Sequence, residues 1–255
     1  MTNIILCGCG GRMGQAIVRA CDASDDLRIV AGVDVNADAV SPACAFPVYT
    51  NISEFPGDAD VIVDFSHHTA LPSLLEYAIR TKTPLVVSTT GHTEDETQKM
   101  KEASEHVAIF FSRNMSIGIN LMIELAKTAA KTLGVAFDVE IVEKHHNQKL
   151  DAPSGTALMI AEAIAEEREE SEFVYDRHAI RQKRSPREIG IHSIRGGTIV
   201  GEHDAIFAGK DEIVTISHTA TSREVFAEGA LRAAAYLATK SAGFYNMTDL
   251  IHEQV

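Results

Sequence analysis

The start of the chain carries the feature that most restricts its fold, a short apolar run that ends in a cluster of glycines. Residues Asn3–Cys7 have the composition of a buried strand, Met13–Cys21 has helical character, and Leu27–Val35 again resembles a strand. A strand, a glycine turn, a helix and a strand make a βαβ unit, in which the two strands pair in parallel through a right-handed crossover. The chain is therefore expected to begin with a parallel α/β sheet.

The same alternation continues to about residue 114. Strands are predicted at 61–65, 84–88 and 107–111, with helices at 70–80 and 94–105. Because the strand candidates are almost continuously apolar, they fit a sheet covered by helices on both faces. The predicted fold class of this part is α/β, a Rossmann-like doubly wound parallel sheet.

The pattern changes after Asn114. A long helix is predicted at 120–133, and residues 135–143 then alternate between apolar and acidic side chains. Such alternation indicates an antiparallel or mixed sheet with one exposed face. Three more strands are predicted in this region, at 189–194, 197–208 and 212–219. A second domain of the α+β type should therefore follow the first.

Two further signals concern the connections between elements. The segment 166–187 is dense in charge, which predicts a mobile, solvated loop. Thr221 and Glu224 have the spacing of a capping box, which predicts a last helix from Ser222.

The charge balance narrows the classes of partner. The chain has 36 acidic and 23 basic residues and a formal net charge of −13, so its surface should repel phosphate backbones and anionic lipid. Nucleic acid and membranes are therefore not expected as partners, and an anionic ligand needs a local positive site. The four cysteines lack the spacing of a zinc site, and no signal peptide or membrane span is recognisable, so we expect a cytoplasmic protein with reduced thiols.

The glycine turn has residues suited to binding a dinucleotide. Gly8, Gly11 and Gly14 follow a GxxGxxG spacing, with Met13 where the common fingerprint has a glycine. Glycines here let backbone N–H groups approach a pyrophosphate at a helix N-terminus. Asp34 ends the second strand 20 residues after Gly14 (34 − 14), where an acid hydrogen-bonds the adenosine ribose. The alternative is a glycine-rich packing turn with an ordinary acid at the strand end.

Asp34 also bears on the choice of cofactor. A carboxylate accepts a hydrogen bond from a ribose 2′-hydroxyl and repels a 2′-phosphate, and Val35 and Asn36 supply no compensating cation. NADH is therefore favoured, and NADPH is possible if Arg12 tolerates the phosphate.

The densest run of chemical groups is EKHHNQKLDAPSGT at residues 143–156. Histidines titrate near neutral pH and can donate or accept protons, which makes His145 and His146 candidates for proton transfer. Adjacent residues of a strand point to opposite faces, so the two share a cleft only if the strand has ended. The alternative is a solvated strand end that leads into a capped helix.

The second half of this run is suited to holding an anion. Lys149 adds a positive charge, and a helix predicted to start near Gly155 and Thr156 offers backbone N–H groups that bind carboxylates. Zinc is a poor explanation because no cysteine accompanies the run and no third ligand is evident. No metal is therefore expected.

The GCGGRMG turn and the EKHHNQKLDAPSGTA run together resemble the 4-hydroxy-tetrahydrodipicolinate reductase (dihydrodipicolinate reductase) family of lysine and diaminopimelate biosynthesis. The resemblance covers essentially the whole chain. It implies an oxidoreductase that uses NAD(P)H to reduce a cyclic dicarboxylate, 4-hydroxy-tetrahydrodipicolinate, to tetrahydrodipicolinate with loss of water. It also implies a dinucleotide-binding domain of residues 1–116 and 222–255, a substrate-binding and oligomerisation domain of residues 117–221, and a homotetramer.

The resemblance implies roles for the residues of the matching motifs. His145 would be the proton donor or acceptor, and Lys149 a second proton donor. Substrate carboxylates would be bound by His146, Gly155 and Thr156. The cofactor would be held by the turn, the ribose acid and two later segments: Gly8, Cys9, Gly10, Gly11, Arg12, Met13, Asp34, Ser88, Thr89, Thr90, Ser112, Arg113, Asn114 and Met115.

The chain departs from the family pattern at two places, and two other functions are alternatives to the reductase. Many members have basic residues where this chain has Val35–Asn36 and Asn147–Gln148, which suggests a preference for NAD and weaker substrate electrostatics. A homoserine- or aspartate-dehydrogenase-like enzyme would leave residues 145–156 unexplained. A dinucleotide-sensing regulator would bind NADH without turnover.

Overall fold

The structure is a computed structural model that describes residues 1–253. The chain forms two compact units, one made of Met1–Ile117 and the chain from Arg223 onward, the other of Gly118–Ser222. Within the described residues, no helix combines the length and apolar character needed to cross a membrane.

The first unit contains a sheet of seven parallel strands. They are β1 (Thr2–Cys7), β2 (Leu27–Val33), β3 (Val48–Tyr49), β4 (Val61–Asp64), β5 (Leu85–Val87), β6 (Ala108–Phe111) and β12 (Gly243–Tyr245). Their order across the sheet is β12-β6-β5-β4-β1-β2-β3, and every pairing is parallel. Apart from the added edge strand β12, this is the 3-2-1-4-5-6 order of a doubly wound dinucleotide-binding sheet, which confirms the predicted fold class.

Helices cover both faces of this sheet. They are α1 (Arg12–Asp22), α2 (Ala37–Val40), α3 (Leu71–Thr81), α4 (Glu94–Ala103), α7 (Glu224–Leu237) and α8 (Met247–Glu253). Successive residues of β1 pack on opposite sides because side chains alternate along a strand: Ile4 lies in the core that includes α7, and Ile5 in the core that includes α3. The nearly continuous apolar strands of the sequence follow from this double burial.

The second unit contains a mixed sheet of five strands in the order β11-β10-β7-β9-β8. They are β7 (Asp138–His145), β8 (Glu172–Val174), β9 (Glu188–Arg195), β10 (Gly201–Ala208) and β11 (Ile213–Ala220). Strand β7 is antiparallel to β10 and parallel to β9, which confirms the predicted mixed sheet. Helices α5 (Ile117–Leu133) and α6 (Gly155–Glu166) pack against one face through a core that includes Met122, Ile160 and Phe207.

The segment 166–187, predicted to be a solvated loop, contains β8 and an anchored arginine. The Arg184 side chain is only 16% exposed and donates to a carboxylate oxygen of Glu140 at 2.9 Å and to the carbonyl oxygens of Val139 and Glu188 at 2.6 and 2.7 Å. The prediction is wrong here because the planar guanidinium finds acceptors on two strands at once.

The capping box predicted at Thr221 and Glu224 is also wrong. Helix α7 begins at Glu224, and its N-cap residue is Arg223, which makes no side-chain capping hydrogen bond. Arg223 already has helical backbone angles (φ −74°, ψ −9°), whereas a capping side chain requires an extended N-cap residue.

Candidate active site

The glycine turn lies at the carboxyl end of β1, where ligands of doubly wound sheets bind. Gly8 has a φ of +76°, and a Cβ there would lie 2.5 Å from the carbonyl oxygen of Phe65. A Cβ on Gly14 would lie 2.2 Å from the carbonyl oxygen of Gly8, so glycine is required for α1 to start this close to the turn. Gly11 is the N-cap of α1 and has no side chain to occupy the first N–H groups of the helix. This geometry fits a bound pyrophosphate.

The remaining residues of the turn divide between core and surface. Cys9 is fully buried, and burial raises the pKa of its thiol to about 12, so only its backbone is available to a ligand. A Cβ on Gly10 would lie 2.5 Å from Cγ2 of Val40, so this position also needs glycine. Arg12 and Met13 face a cavity.

Asp34 directly follows β2 and is fixed by two backbone donors. Its Oδ2 accepts a hydrogen bond from the N–H of Gly10 at 3.0 Å, and its Oδ1 accepts one from the N–H of Asn36 at 3.0 Å. The carboxylate lines a cavity of about 480 Å³ together with Gly8 and Val35. Asp34 is therefore tied to the glycine turn, as a contact to an adenosine ribose requires.

A second cavity of about 770 Å³ shares Gly11 and Phe65 with the first and extends to the other side of the turn. It brings together most of the remaining predicted cofactor residues: Arg12, Met13, Ser88, Thr89, Thr90, Arg113, Asn114 and Met115. Ser112 is not part of the lining. Its hydroxyl donates to the carbonyl oxygen of Asn114 at 2.7 Å, which stabilises the backbone between Ser112 and Asn114 after β6.

Sequence reasoning did not identify the full wall of this second cavity. His67 and His68 line it after the end of β4, and Phe226 lines it from α7. Thr89 is held in this wall by its hydroxyl, which donates to Oδ2 of the buried Asp64 at 2.7 Å. Phe226 carries no motif that links it to a turn so far away in the sequence.

In the second unit, His145 is the last residue of β7 and is buried. Its Nδ1 lies 2.6 Å from Oε2 of Glu143, which has no exposed surface. Arg195 donates to both oxygens of the same carboxylate, at 2.7 Å each. The N–H of Ser154 donates to Oε1 at 3.1 Å, which joins the end of β7 to the start of α6.

The charge state of Glu143 follows from these contacts. Burial by itself raises the pKa of a carboxyl group, but hydrogen bonds from His145, Arg195 and Ser193 outweigh burial and hold the pKa of Glu143 well below its usual value. Glu143 is therefore an anion at neutral pH.

A second histidine lies against the first. The rings of His145 and His203 meet edge to face with centroids 5.2 Å apart, and Nε2 of His203 lies 3.1 Å from the hydroxyl of Ser154. Burial, with a smaller contribution from the neighbouring His145, lowers the pKa of His203 to about 4. His203 is therefore uncharged at neutral pH.

Lys149, the predicted second proton donor, and the predicted substrate-binding residues follow β7. His146 comes directly after the end of the strand and is half-buried. Nζ of Lys149 pairs with Oδ1 of Asp151 at 2.8 Å. Gly155, the first residue of α6, is exposed, and a Cβ there would meet nothing within 4 Å; Thr156 is half-buried. Among residues 1–253, no three His, Cys, Asp or Glu side chains are grouped to hold a metal ion.

Glu143, Arg195 and His203 were missed as site residues. The alternation along β7 continues past Ile141 and places Glu143 and His145 on the buried face, so this signal was present in the sequence. The other two were not detectable, because the register of three strands sets Glu143 beside His203 and His145 beside Arg195.

Comparison with known proteins matches both units. A family model described as "Dihydrodipicolinate reductase, N-terminus" matches residues 2–115, and one described as "Dihydrodipicolinate reductase, C-terminus" matches residues 118–251. A 4-hydroxy-tetrahydrodipicolinate reductase of Caldanaerobacter subterraneus is 51% identical over 252 residues, covering 98% of each chain. One of Clostridium tetani is 47% identical over 253 residues, covering 99% of this chain and 98% of that protein.

A solved structure agrees with these matches. The dipicolinate-bound dihydrodipicolinate reductase of Paenisporosarcina sp. TG-14 is similar with a TM-score of 0.80 and 26% identity, covering 96% of this chain and 97% of that one. The chain therefore belongs to the dihydrodipicolinate reductase family.

Proposed function

We propose that the protein reduces 4-hydroxy-tetrahydrodipicolinate to tetrahydrodipicolinate with NAD(P)H and loss of water, a step of lysine and diaminopimelate biosynthesis. The observation that carries this proposal is the joined end of β7 and start of α6, where His145, Lys149 and the first turn of a helix occur within one motif. That motif combines a group that can transfer a proton with cationic and N–H groups that can bind a carboxylate.

The first unit fits the cofactor. Gly8 and Gly14 let the backbone of the turn pack closely, since a Cβ on either would collide with neighbouring backbone atoms, and Gly11 starts α1 without a capping side chain. The second cavity, lined by Ser88–Thr90 and Arg113–Met115, is assigned to the nicotinamide side. The bound cofactor supplies the hydride; the protein contributes binding and orientation.

The second unit is assigned the substrate. His146, Gly155 and Thr156 bind the substrate carboxylates, and Lys149 adds a positive charge after leaving Asp151, its partner at 2.8 Å. His145, assisted by Lys149, exchanges the proton that the reduced ring requires. His146, Lys149 and the N–H groups at the start of α6 together form a local anion-binding site, which explains how a chain with a net charge of −13 binds a dianion.

NADH is the preferred cofactor in this proposal. Asp34 lines the first cavity, where a 2′-phosphate would meet its negative charge, whereas Arg12 lines the second cavity. The cation that could offset the repulsion therefore faces another part of the site.

A cytoplasmic homotetramer is proposed as the working form. The face of the five-stranded sheet opposite α5 and α6 presents Ile194 and Ile213, which are 47% and 67% exposed. Apolar side chains on an exposed sheet face support assembly through that face. Size-exclusion chromatography with light scattering tests this, and a monomer at working concentration would contradict it.

The function is tested by following NADH absorbance with enzymatically generated 4-hydroxy-tetrahydrodipicolinate. Wild-type protein should oxidise NADH in a substrate-dependent manner, and the His145→Ala, Lys149→Ala double variant should not. A regulator would bind NADH without turnover. No oxidation above background, or a double variant as active as wild type, would exclude the reductase.

A further inference from the structure

We propose that Glu143 is a positioning residue that fixes the tautomer of His145, so that the ring carries a hydrogen on Nδ1 and exchanges its catalytic proton at Nε2. This inference rests on the proposed function, because it assigns a cause to the proton transfer at His145. It concerns Glu143, a buried residue for which the proposed function names no role.

The geometry of Glu143 leaves it only the role of acceptor. Its two oxygens face five donors, two from Arg195, one each from the backbone of Ser154 and the side chain of Ser193, and Nδ1 of His145. A carboxylate paired with a guanidinium has no hydrogen to give. The 2.6 Å contact with His145 is therefore made by a hydrogen on Nδ1 of the histidine.

A neutral imidazole carries one ring hydrogen, so the tautomer with hydrogen on Nδ1 leaves a lone pair on Nε2. When Nε2 takes up a proton, the positive ring faces the Glu143 anion across the 2.6 Å contact. Donation from Nε2 then returns a neutral ring rather than an imidazolate. Gly201 lies beside Nε2, and glycine avoids a close contact there, since a Cβ would lie 3.1 Å from that nitrogen.

Of the charged and titratable groups described around His145, Glu143 is the one that accepts a hydrogen bond from its ring. Arg195 faces it from β9, and its two terminal nitrogens donate to Glu143 and to the carbonyl oxygens of Ile194 and Asp151. His203 faces it from β10 as a neutral ring. Lys149, in the loop after β7, is paired with Asp151.

Replacing Glu143 with glutamine is expected to change the tautomer of His145. If the amide oxygen keeps the place of Oε1, it still accepts from Ser154 and Arg195, and the amide NH₂ then faces one donor, Nη1 of Arg195, and donates to Nδ1 of His145. The opposite orientation points the NH₂ at two donors. The first orientation is therefore favoured, and it forces the ring hydrogen of His145 onto Nε2, where donation would leave an imidazolate.

Two measurements test the proposal on the full-length enzyme. Solid-state ¹⁵N NMR of histidine-labelled protein, with His145 assigned by difference from His145→Gln, should show the neutral ring with its hydrogen on Nδ1 in wild type and on Nε2 in Glu143→Gln. In steady-state assays the variant should lose about 100-fold in kcat or more, the range for general acid–base groups, with the KM for NADH unchanged.

Glu188→Gln is the matched control. Glu188 is also a buried carboxylate on the same sheet and accepts from an arginine, Arg177, and from the backbone N–H of Ser185, yet no histidine contacts it among the described residues. Glu188→Gln should lose stability and keep its kcat per folded enzyme.

The proposal is overturned if neutral His145 in wild type has its hydrogen on Nε2, or if folded Glu143→Gln keeps wild-type kcat. Should Glu143→Gln fail to fold, the wild-type tautomer decides alone. A failure of the proposed function would appear differently, as an absence of turnover in wild type or full activity in His145→Ala, whatever the tautomer.

Discussion

Replacing Asp34 with asparagine should weaken the preference for NADH over NADPH. The carboxylate is held in the 480 Å³ cavity by the N–H groups of Gly10 and Asn36, both at 3.0 Å. Asparagine keeps the size of the side chain and one acceptor oxygen but removes the negative charge. The variant therefore separates charge from shape.

The size of the effect follows from the charge removed. Two unit charges about 4 Å apart interact by about 4 kcal/mol at an effective dielectric constant of about 20, and by about 1 kcal/mol in water. Asp34 is half-buried, so an effect of about 1–3 kcal/mol is expected. This corresponds to a rise of about 5- to 150-fold in the ratio of kcat/KM for NADPH to that for NADH.

The assay measures kcat/KM with both cofactors at one fixed ionic strength. Asp38→Asn is the matched control, because Asp38 lies in α2, is exposed, and is not among the lining residues of either cavity. It changes the net charge equally and should leave the ratio unchanged. The reasoning is refuted if the ratio is unchanged in Asp34→Asn, if it rises equally in Asp38→Asn, or if wild type strongly prefers NADPH.

Three further predictions concern the first unit. Gly14→Ala should weaken NADH binding in a calorimetric titration, since its Cβ would lie 2.2 Å from the carbonyl oxygen of Gly8 and overpacking costs about 1–3 kcal/mol; wild-type affinity would contradict this. Thr89→Val removes a donor that favours the ionised form of Asp64, whose pKa is raised by burial. Without that donor the pKa of Asp64 in the folded state rises further above its value in the unfolded chain, which destabilises the fold wherever Asp64 is ionised. The free energy of unfolding in urea should therefore fall by about 1–3 kcal/mol at neutral pH and by less at acidic pH. A loss independent of pH would contradict this. Ellman's reagent should modify Cys44 first in native protein, because the other three thiols are buried, and equal rates for all four would be inconsistent with the structure.

The sequence predicted the parallel sheet well because its central strands are buried on both faces. Strand β5 is entirely apolar and β4 is apolar up to its last residue, Asp64, a pattern typical of strands buried on both faces. The edge strands β3 and β12 were not predicted, since they are two and three residues long and only half-buried. Such strands form because a neighbouring strand offers unpaired backbone groups, and this information is not local to their own residues.

Helix capping also depends on structure that the residues themselves do not determine. The Thr93–Glu96 pair forms a reciprocal capping box at the start of α4, whereas the similarly spaced Thr221–Glu224 pair does not at α7. The residue types are the same, and the backbone that precedes each helix differs. Spacing alone therefore does not decide which pair caps a helix.

The candidate site divides along similar lines. Residues that follow one another, such as Gly8–Met13 and His145–Lys149, can be found as motifs because one turn or one strand end positions them. Arg195 is 52 residues from Glu143, and its role became visible only through the pairing of β7 with β9. Charge in the sequence indicates that an anion can be bound, and the sheet register indicates which carboxylate is neutralised.

The return of the chain to the first sheet has a consequence for how the protein is made. Helix α7 packs Ala230 and Ala234 against the same core as Ile4 and Val86, and β12 adds the last strand beside β6. A ribosome therefore releases the complete second unit before it has synthesised α7, which covers one face of the first sheet together with α1. During that interval the nascent chain exposes the part of the apolar sheet face that α7 later covers, the kind of surface that chaperones bind. The second unit can therefore complete its fold during synthesis before the first unit does.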